Sequence, residues 1–289
     1  MKKQLMCVLL GVTAAMAISL IDTTTVQAAY KYRTVTIAGE TVDRDHLNMS
    51  TYYKATKTVS VKIEYEKNTD ETKGYTKTMK LPKGTIVAGM IVPKHKLSNG
   101  KWDDQLSFVV ENRLNYALFN RNVRKGYRAG YGIAYPVSTF KKIKTPAYMP
   151  TWSYGDLYLG GAKAIDTTSK RSAQITTNGY VELHEINKNA TLDEQYTGRP
   201  YSTAKIAKTR VKDATRYLYL KGKLKGLKTV RVGEKGAYQY RLALMNRHQP
   251  QNRSSYDDDR GEYYDFYSLY ALGGVTYYTA ITSGSDVED

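Results

Sequence analysis

The stretch YTKTMKLPKGTIVAGMIV, residues 75–92, decides how the chain is read. At its centre, Leu81-Pro82-Lys83-Gly84-Thr85 has the residues of a Leu-Pro-x-Thr-Gly wall-anchoring pentapeptide with the last two exchanged. A covalent anchor needs Thr before Gly, a place near the C-terminus, and an apolar segment with a basic tail behind it. Here the order is reversed and the stretch lies in the first third of the chain. The C-terminus, TAITSGSDVED, carries neither an apolar segment nor a basic tail. A turn fits better. YTKTMKL and TIVAGMIV both read as strands, Pro82 cannot donate a ladder hydrogen bond, and Gly84 tolerates a positive φ. LPKGT is therefore expected to be a tight connection joining two strands.

The same grammar recurs on both sides. KTVSVKIEYEK (57–67) alternates, with Val59, Val61, Ile63 and Tyr65 on one face. LSFVVENRLNYALFNRN (106–122) is ambiguous between a hairpin and a short helix, and strands about a turn near Asn112 are favoured. Pro146, Pro150, Gly160 and Gly161 interrupt residues 144–161, which places a module junction there. Beyond it, SAQITTNGYVELHEI (172–186) carries Asn-Gly between two strand-like runs, a strong hairpin signal. Residues 214–247 supply two or three more strands, with Gly226 and Gly236 in turns. The last pair is expected about Gly273-Gly274. A weak echo relates RLNYALFNRN (113–122) to QYRLALMNRH (239–248), which makes two related modules plausible. The chain is thus expected to be mainly β. Residues 29–150 form a first module, and residues 151–289 a second with an acidic C-terminal segment.

The N-terminus reads as a secretory signal peptide over residues 1–28: Lys2 and Lys3, an apolar run over about residues 5–20, then Val26-Gln27-Ala28 before the cut. The rival reading is a retained transmembrane helix, since the run is about long enough to span. The expectation is a secreted, cell-wall associated chain with no transmembrane anchor. Cys7 is the sole cysteine and lies inside the apolar run, so the mature chain has no disulfide framework.

Charge is the strongest functional signal. The formal net charge is +17, and it is distributed in blocks. Residues 203–235 hold an excess of nine positive charges, residues 121–165 an excess of seven, and residues 256–289 an excess of seven negative charges. Basic blocks of this size call for an acidic partner. For an exported chain, teichoic acid or another anionic cell-wall polysaccharide is nearer to hand than nucleic acid, which ranks last. Within the basic block, YLYLKGKLKGLKTVR (217–231) is the best binding candidate. On a strand, Lys221, Lys223 and Lys225 would share a face, Lys228 and Arg231 would extend the positive field, and Tyr217 and Tyr219 would lie beside them. Such a row could follow a polyphosphate backbone. The bland alternative is an edge strand whose lysines discourage edge-to-edge pairing.

YTKTMKLPKGTIVAGMIV followed by Asn99-Gly100-Lys101-Trp102, and again YLYLKGKLKGLKTVRVG, resemble bacterial SH3-like wall-binding modules. They are similar in particular to the wall-binding repeats of S-layer and S-layer-associated proteins of lactic acid bacteria. The resemblance covers about half of the mature chain. It implies small SH3-like or barrel/sandwich β modules that attach non-covalently to wall polymer. The chain departs from that pattern in lacking a clear tandem repeat and the long Thr/Ser-rich assembly region of an S-layer subunit.

Catalytic signals are sparse. The histidines His46, His95, His184 and His248 have no partners at metal-ligand spacing. There is no G-x-S-x-G. Asp156, Glu182 and Glu185 are the kind of carboxylates a glycosidase would use, although solvated strand or turn positions fit them better. YDDDRGEYYDFY (256–267) could offer Asp257, Asp258 and Asp259 to Ca²⁺, but it lacks alternate-ligand spacing and reads first as an acidic turn. The expectation is a non-enzymatic binding protein without a cofactor. The alternatives are an S-layer subunit or accessory that self-associates through its basic and acidic faces, and a secreted wall-glycan hydrolase.

Overall fold

The computed structural model describes residues 33–282 apart from 111–112, 120–122, 166, 168, 187–197, 234–237 and 258–260. The signal peptide expected over residues 1–28, Gly236 and the acidic turn at 258–260 lie outside the described residues. Among the described residues no helix is long and apolar enough to cross a membrane. The chain is mainly β, as its alternating pattern predicts.

Two compact units divide it. One comprises residues 1–47, 252–265 and 283–289, and the other residues 48–251 and 266–282. The first contains a hairpin of β1 (Thr34–Ile37) and β2 (Glu40–Asp43). A single 3-10 turn follows at Arg44–His46, where the Asp43 carboxylate accepts from the Asp45 N–H at 3.0 Å. Ile37, Val42 and Leu47 are its buried apolar residues.

The second unit begins with a seven-stranded antiparallel sheet. Its strands are β3 (Tyr52–Ala55), β4 (Val59–Lys67), β5 (Asp70–Leu81), β6 (Ile86–Lys96), β7 (Trp102–Val109), β8 (Tyr127–Ala134) and β9 (Phe140–Ile143), in the order β5-β4-β8-β7-β6-β3-β9. LPKGT is the turn between β5 and β6. Thr85 donates to the Pro82 carbonyl from both its N–H, at 3.1 Å, and its hydroxyl, at 2.8 Å, and Gly84 takes φ +87°. The alternation of β4 buries Val59, Val61, Ile63 and Tyr65 in one cluster with Leu81, Leu106 and Phe108. Phe108 needs room on both sides. Its register partners are Gly89 on β6 and Gly132 on β8, and a Cβ at either would stand within 2.7 Å of Phe108 atoms.

The segment after β7 departs from the expected hairpin. It forms one helical turn, α1 (Tyr116–Phe119). A strand would send neighbouring residues to opposite faces, but Leu114 and Asn115 are both buried, one in the sheet's core and the other against Asn178. The echo of this segment at 239–248 is a strand, so the two stretches do not share a structure.

The remaining strands are β10 (Asp156–Leu159), β11 (Arg171–Ile175), β12 (Tyr180–Glu185), β13 (Ser202–Lys212), β14 (Thr215–Leu220), β15 (Val230–Arg231), β16 (Tyr240–Asn246), β17 (Gln251–Asp257), β18 (Gly261–Leu272) and β19 (Val275–Ala280). The eight strands β10-β11-β12-β13-β14-β16-β18-β19 pair in a ring. The β16–β18 pairing, Leu244 opposite Leu272, and the β10–β19 pairing close it. These eight strands thus form a closed antiparallel barrel, which leaves no free edge along its ring. A barrel of this size has an interior that side chains just fill. Leu157, Ile175, Leu183, Leu218, Leu242 and Tyr270 do so, each fully buried.

The hairpin predicted at Asn178-Gly179 joins β11 to β12 and ties the barrel to the sheet. Thr177 donates its N–H to the Arg113 carbonyl at 2.7 Å and its hydroxyl to the Ile86 carbonyl at 2.9 Å. The Asn178 amide donates to Asn115 Oδ1 at 2.7 Å, and its oxygen accepts from the Asn115 N–H at 3.0 Å. Tyr52 and Ala88 of the sheet belong to the same apolar cluster as the barrel interior.

Candidate functional site: a cationic tyrosine face on the barrel wall

Buried Leu218 and Leu220 point β14 into the barrel, so Tyr217 and Tyr219 point outward. They meet cations from neighbouring strands. On β13, Ala204 and Ile206 face inward, and a bulge at Ala207 then shifts the register. After the bulge Lys208 stands opposite Tyr219, Arg210 opposite Tyr217 and Lys212 opposite Thr215. On β16, Arg241 is the other partner of Tyr219, and Ala243 of Tyr217.

Across three strands the outer wall therefore presents one row of Lys208, Tyr219 and Arg241 and a second of Arg210, Tyr217 and Ala243. The Arg241 guanidinium lies over the Tyr217 ring at 5.1 Å, the Lys208 ammonium over Tyr219 at 6.0 Å, and Tyr238 packs edge-on to Tyr219 at 5.3 Å. Ala243 leaves the space that Arg241 uses. Each cation over a ring contributes about 0.5–1 kcal/mol at an exposed site. No outward residue of these three strands is acidic, and Lys208, Arg210, Lys212 and Arg241 have no ion-pair partner among the described residues.

The lysines singled out by the sequence lie elsewhere. The strand expected through 217–231 ends at Leu220. Residues 221–229 form a loop over the Leu220 end of the barrel because Leu224 and Leu227, fully and nearly fully buried, turn into its core. Lys221, Lys223, Lys225 and Lys228 are exposed on that loop, without the common strand face expected of them. Arg231 is exposed on the two-residue strand β15, opposite Tyr240. Of the predicted residues, the structure brings Tyr217 and Tyr219 together on the wall. It replaces their expected companions with Lys208, Arg210, Lys212 and Arg241. The alternation of Lys208, Arg210 and Lys212 in KTRVK was visible in the sequence, but the bulge hid which face it belonged to.

The carboxylates considered for hydrolysis are engaged structurally. Glu182 is 3% exposed and accepts from the Tyr116 N–H at 2.9 Å and from the Thr203 hydroxyl at 3.3 Å. Burial pushes its carboxyl up to about 7, against the opposing pull of those two hydrogen bonds. Asp156 is held 3.5 Å from Arg113, whose guanidinium also stacks on the Tyr154 ring at 4.1 Å; burial raises this carboxyl, and the Arg113 charge opposes the shift. Glu185 makes an exposed ion pair with Arg171 at 3.3 Å. His184 is buried with Nδ1 3.0 Å from the Gly198 carbonyl, and burial lowers its pKa. Among the described residues no group of three His, Cys, Asp or Glu could hold a metal ion.

Compared with family models, curated proteins and solved structures, the chain finds no significant match in any of the three.

Proposed function

We propose that this chain is a secreted, non-enzymatic surface protein that binds anionic wall polymer of the teichoic acid type non-covalently, through the outer wall of its barrel. The observation that supports this most is the Lys208–Tyr219–Arg241 and Arg210–Tyr217 face, which bears cations and rings and no acid. A polyphosphate chain would place its charges against the cations. Its sugar-alcohol carbons would lie on the tyrosine faces, as single-stranded nucleic acids lie on cationic aromatic grooves. The lysine loop at 221–229 widens the positive field and steers the approach. The signal-like N-terminus and the resemblance to wall-binding modules point the same way.

The test is sedimentation of the protein with isolated Gram-positive walls, before and after chemical removal of teichoic acids, over a salt series. Binding should fall with both treatments. A Lys208→Gln, Arg210→Gln, Arg241→Gln triple variant with an unchanged unfolding midpoint should lose most of it. Binding that survives polymer removal and added salt would refute the reading in favour of peptidoglycan or protein contacts. Gel filtration over the same salt series covers the S-layer alternative, since assembly predicts concentration-dependent oligomers.

A further inference from the structure

At the Thr215 end of β14, remote from the lysine loop, lies a groove of about 650 Å³. Its walls come from residues 48–52 before and at the start of β3, residues 145–153 between β9 and β10, Val211 of β13 and Arg216 of β14. Met49 and Val211 are more than half exposed there, which leaves apolar surface on two sides. A shallower recess shares Ser50, Thr51, Tyr52 and Thr145 with it and adds Lys142 and Lys144. Among the described residues, no acidic residue lines either space.

Trp152 stands in this groove with φ +50°, a left-handed backbone that a bulky side chain rarely adopts. Both flanks hold it there. The Thr151 N–H donates to the Tyr270 hydroxyl at 3.1 Å, and Ser153 Oγ is 2.7 Å from Thr279 Oγ1 and accepts from the Gly155 N–H at 3.1 Å. Backbone outliers fixed by their surroundings concentrate at ligand sites. Arg216 donates Nη2 to the Thr151 hydroxyl at 3.0 Å, and its Nε is enclosed without a hydrogen-bond partner.

We infer that this groove is a sugar-acid subsite, taking one glycosyl residue that carries a phosphate or carboxylate. The indole of Trp152 supplies an apolar platform for the sugar ring, flanked by Met49 and Val211. Arg216, held by its bond to the Thr151 hydroxyl, offers its charge and its remaining guanidinium N–H groups to the acid. Lys142 and Lys144 meet the next charge along the chain. The inference rests on the wall-polymer reading and adds what that reading lacks, a contact that distinguishes a glycosylated polymer from bare polyphosphate.

The chain has two tryptophans, so a Trp102→Phe protein reports Trp152 fluorescence alone. Titrated with glucose 1-phosphate, that protein should show a saturable change, while glucose or inorganic phosphate alone should bind about tenfold more weakly or worse. Arg216→Gln should weaken glucose 1-phosphate by about tenfold, and Arg216→Lys should recover part of it. Trp152→Gly, read by calorimetry, should abolish binding while its backbone fits the left-handed conformation. The wall-face triple variant should bind glucose 1-phosphate unchanged, so the subsite and the wall-face reading fail separately. No saturable signal, or equal binding of inorganic phosphate and of glucose 1-phosphate, overturns the subsite.

Discussion

Glu182 sits on the outer side of β12, where one carboxylate oxygen accepts from the Tyr116 N–H and the other from Thr203. Two hydrogen bonds do not replace the water it lost, so its pKa rises from 4.5 to about 7. A raised acid destabilises the fold only when ionised. Its stabilising share is complete below about pH 4.5, declines as pH rises to about 7, and stays lost above that. The shift corresponds to ~3 kcal/mol. Glu182→Gln keeps an acceptor for Tyr116 and removes the charge. Urea unfolding should therefore show the variant gaining on the parent between pH 4.5 and pH 8; equal stabilities at pH 8 would contradict the assignment. Gly89 makes the opposite kind of prediction. A Cβ there would stand 2.0 Å from the Ser107 carbonyl oxygen, which is backbone and cannot swing away. Gly89→Ala should cost about 3 kcal/mol or prevent folding, measured as the denaturation midpoint.

Strand β13 is decided by one extra residue. Ala207 lets Ala204 and Ile206 face the barrel interior while Lys208, Arg210 and Lys212 face out. Deleting it would set Ile206 next to Lys208 and restore plain alternation, with Ile206 still inward opposite Leu220 and Lys208 still outward opposite Tyr219. The deletion should keep cooperative thermal unfolding and the wall face, and a protein that loses cooperative melting would argue against the bulge. The loop over the barrel end is equally two-sided. Leu224→Ala should destabilise by about 2–5 kcal/mol, while Lys223→Gln should stay within about 0.5 kcal/mol, both read from unfolding midpoints.

For the whole molecule, the charge blocks govern association. Polyanion binding that uses Lys208, Arg210, Lys212 and Arg241 releases counterions, so log affinity should fall with log salt by ~0.7 per contact, a slope of about −3. Neutralising Lys208, Arg210 and Arg241 should lower that slope by about 2. Neutralising Lys221, Lys223 and Lys225 instead should mainly slow association at low salt. A variant series in which the loop lysines carry the slope and the wall cations do not would move the site to the loop.

Local pattern alone determined the β character of this chain, the turns at LPKGT, Asn178-Gly179 and Gly273-Gly274, and the basic and acidic blocks. Period-two alternation and residues suited to positive φ act over a few neighbours, and charge is additive along a chain. Tertiary structure decided the rest. Ring closure depends on β16 meeting β18 and β10 meeting β19, pairings between residues far apart in sequence that no local signal encodes. Ending β14 at Leu220 follows from the room in the barrel for Leu224 and Leu227, and placing Lys208 and Arg241 against the tyrosines follows from cross-strand register. The helical turn at Tyr116–Phe119 similarly reflects Asn115 finding Asn178 on the barrel. Each is a contact between distant segments, where packing overrides local preference.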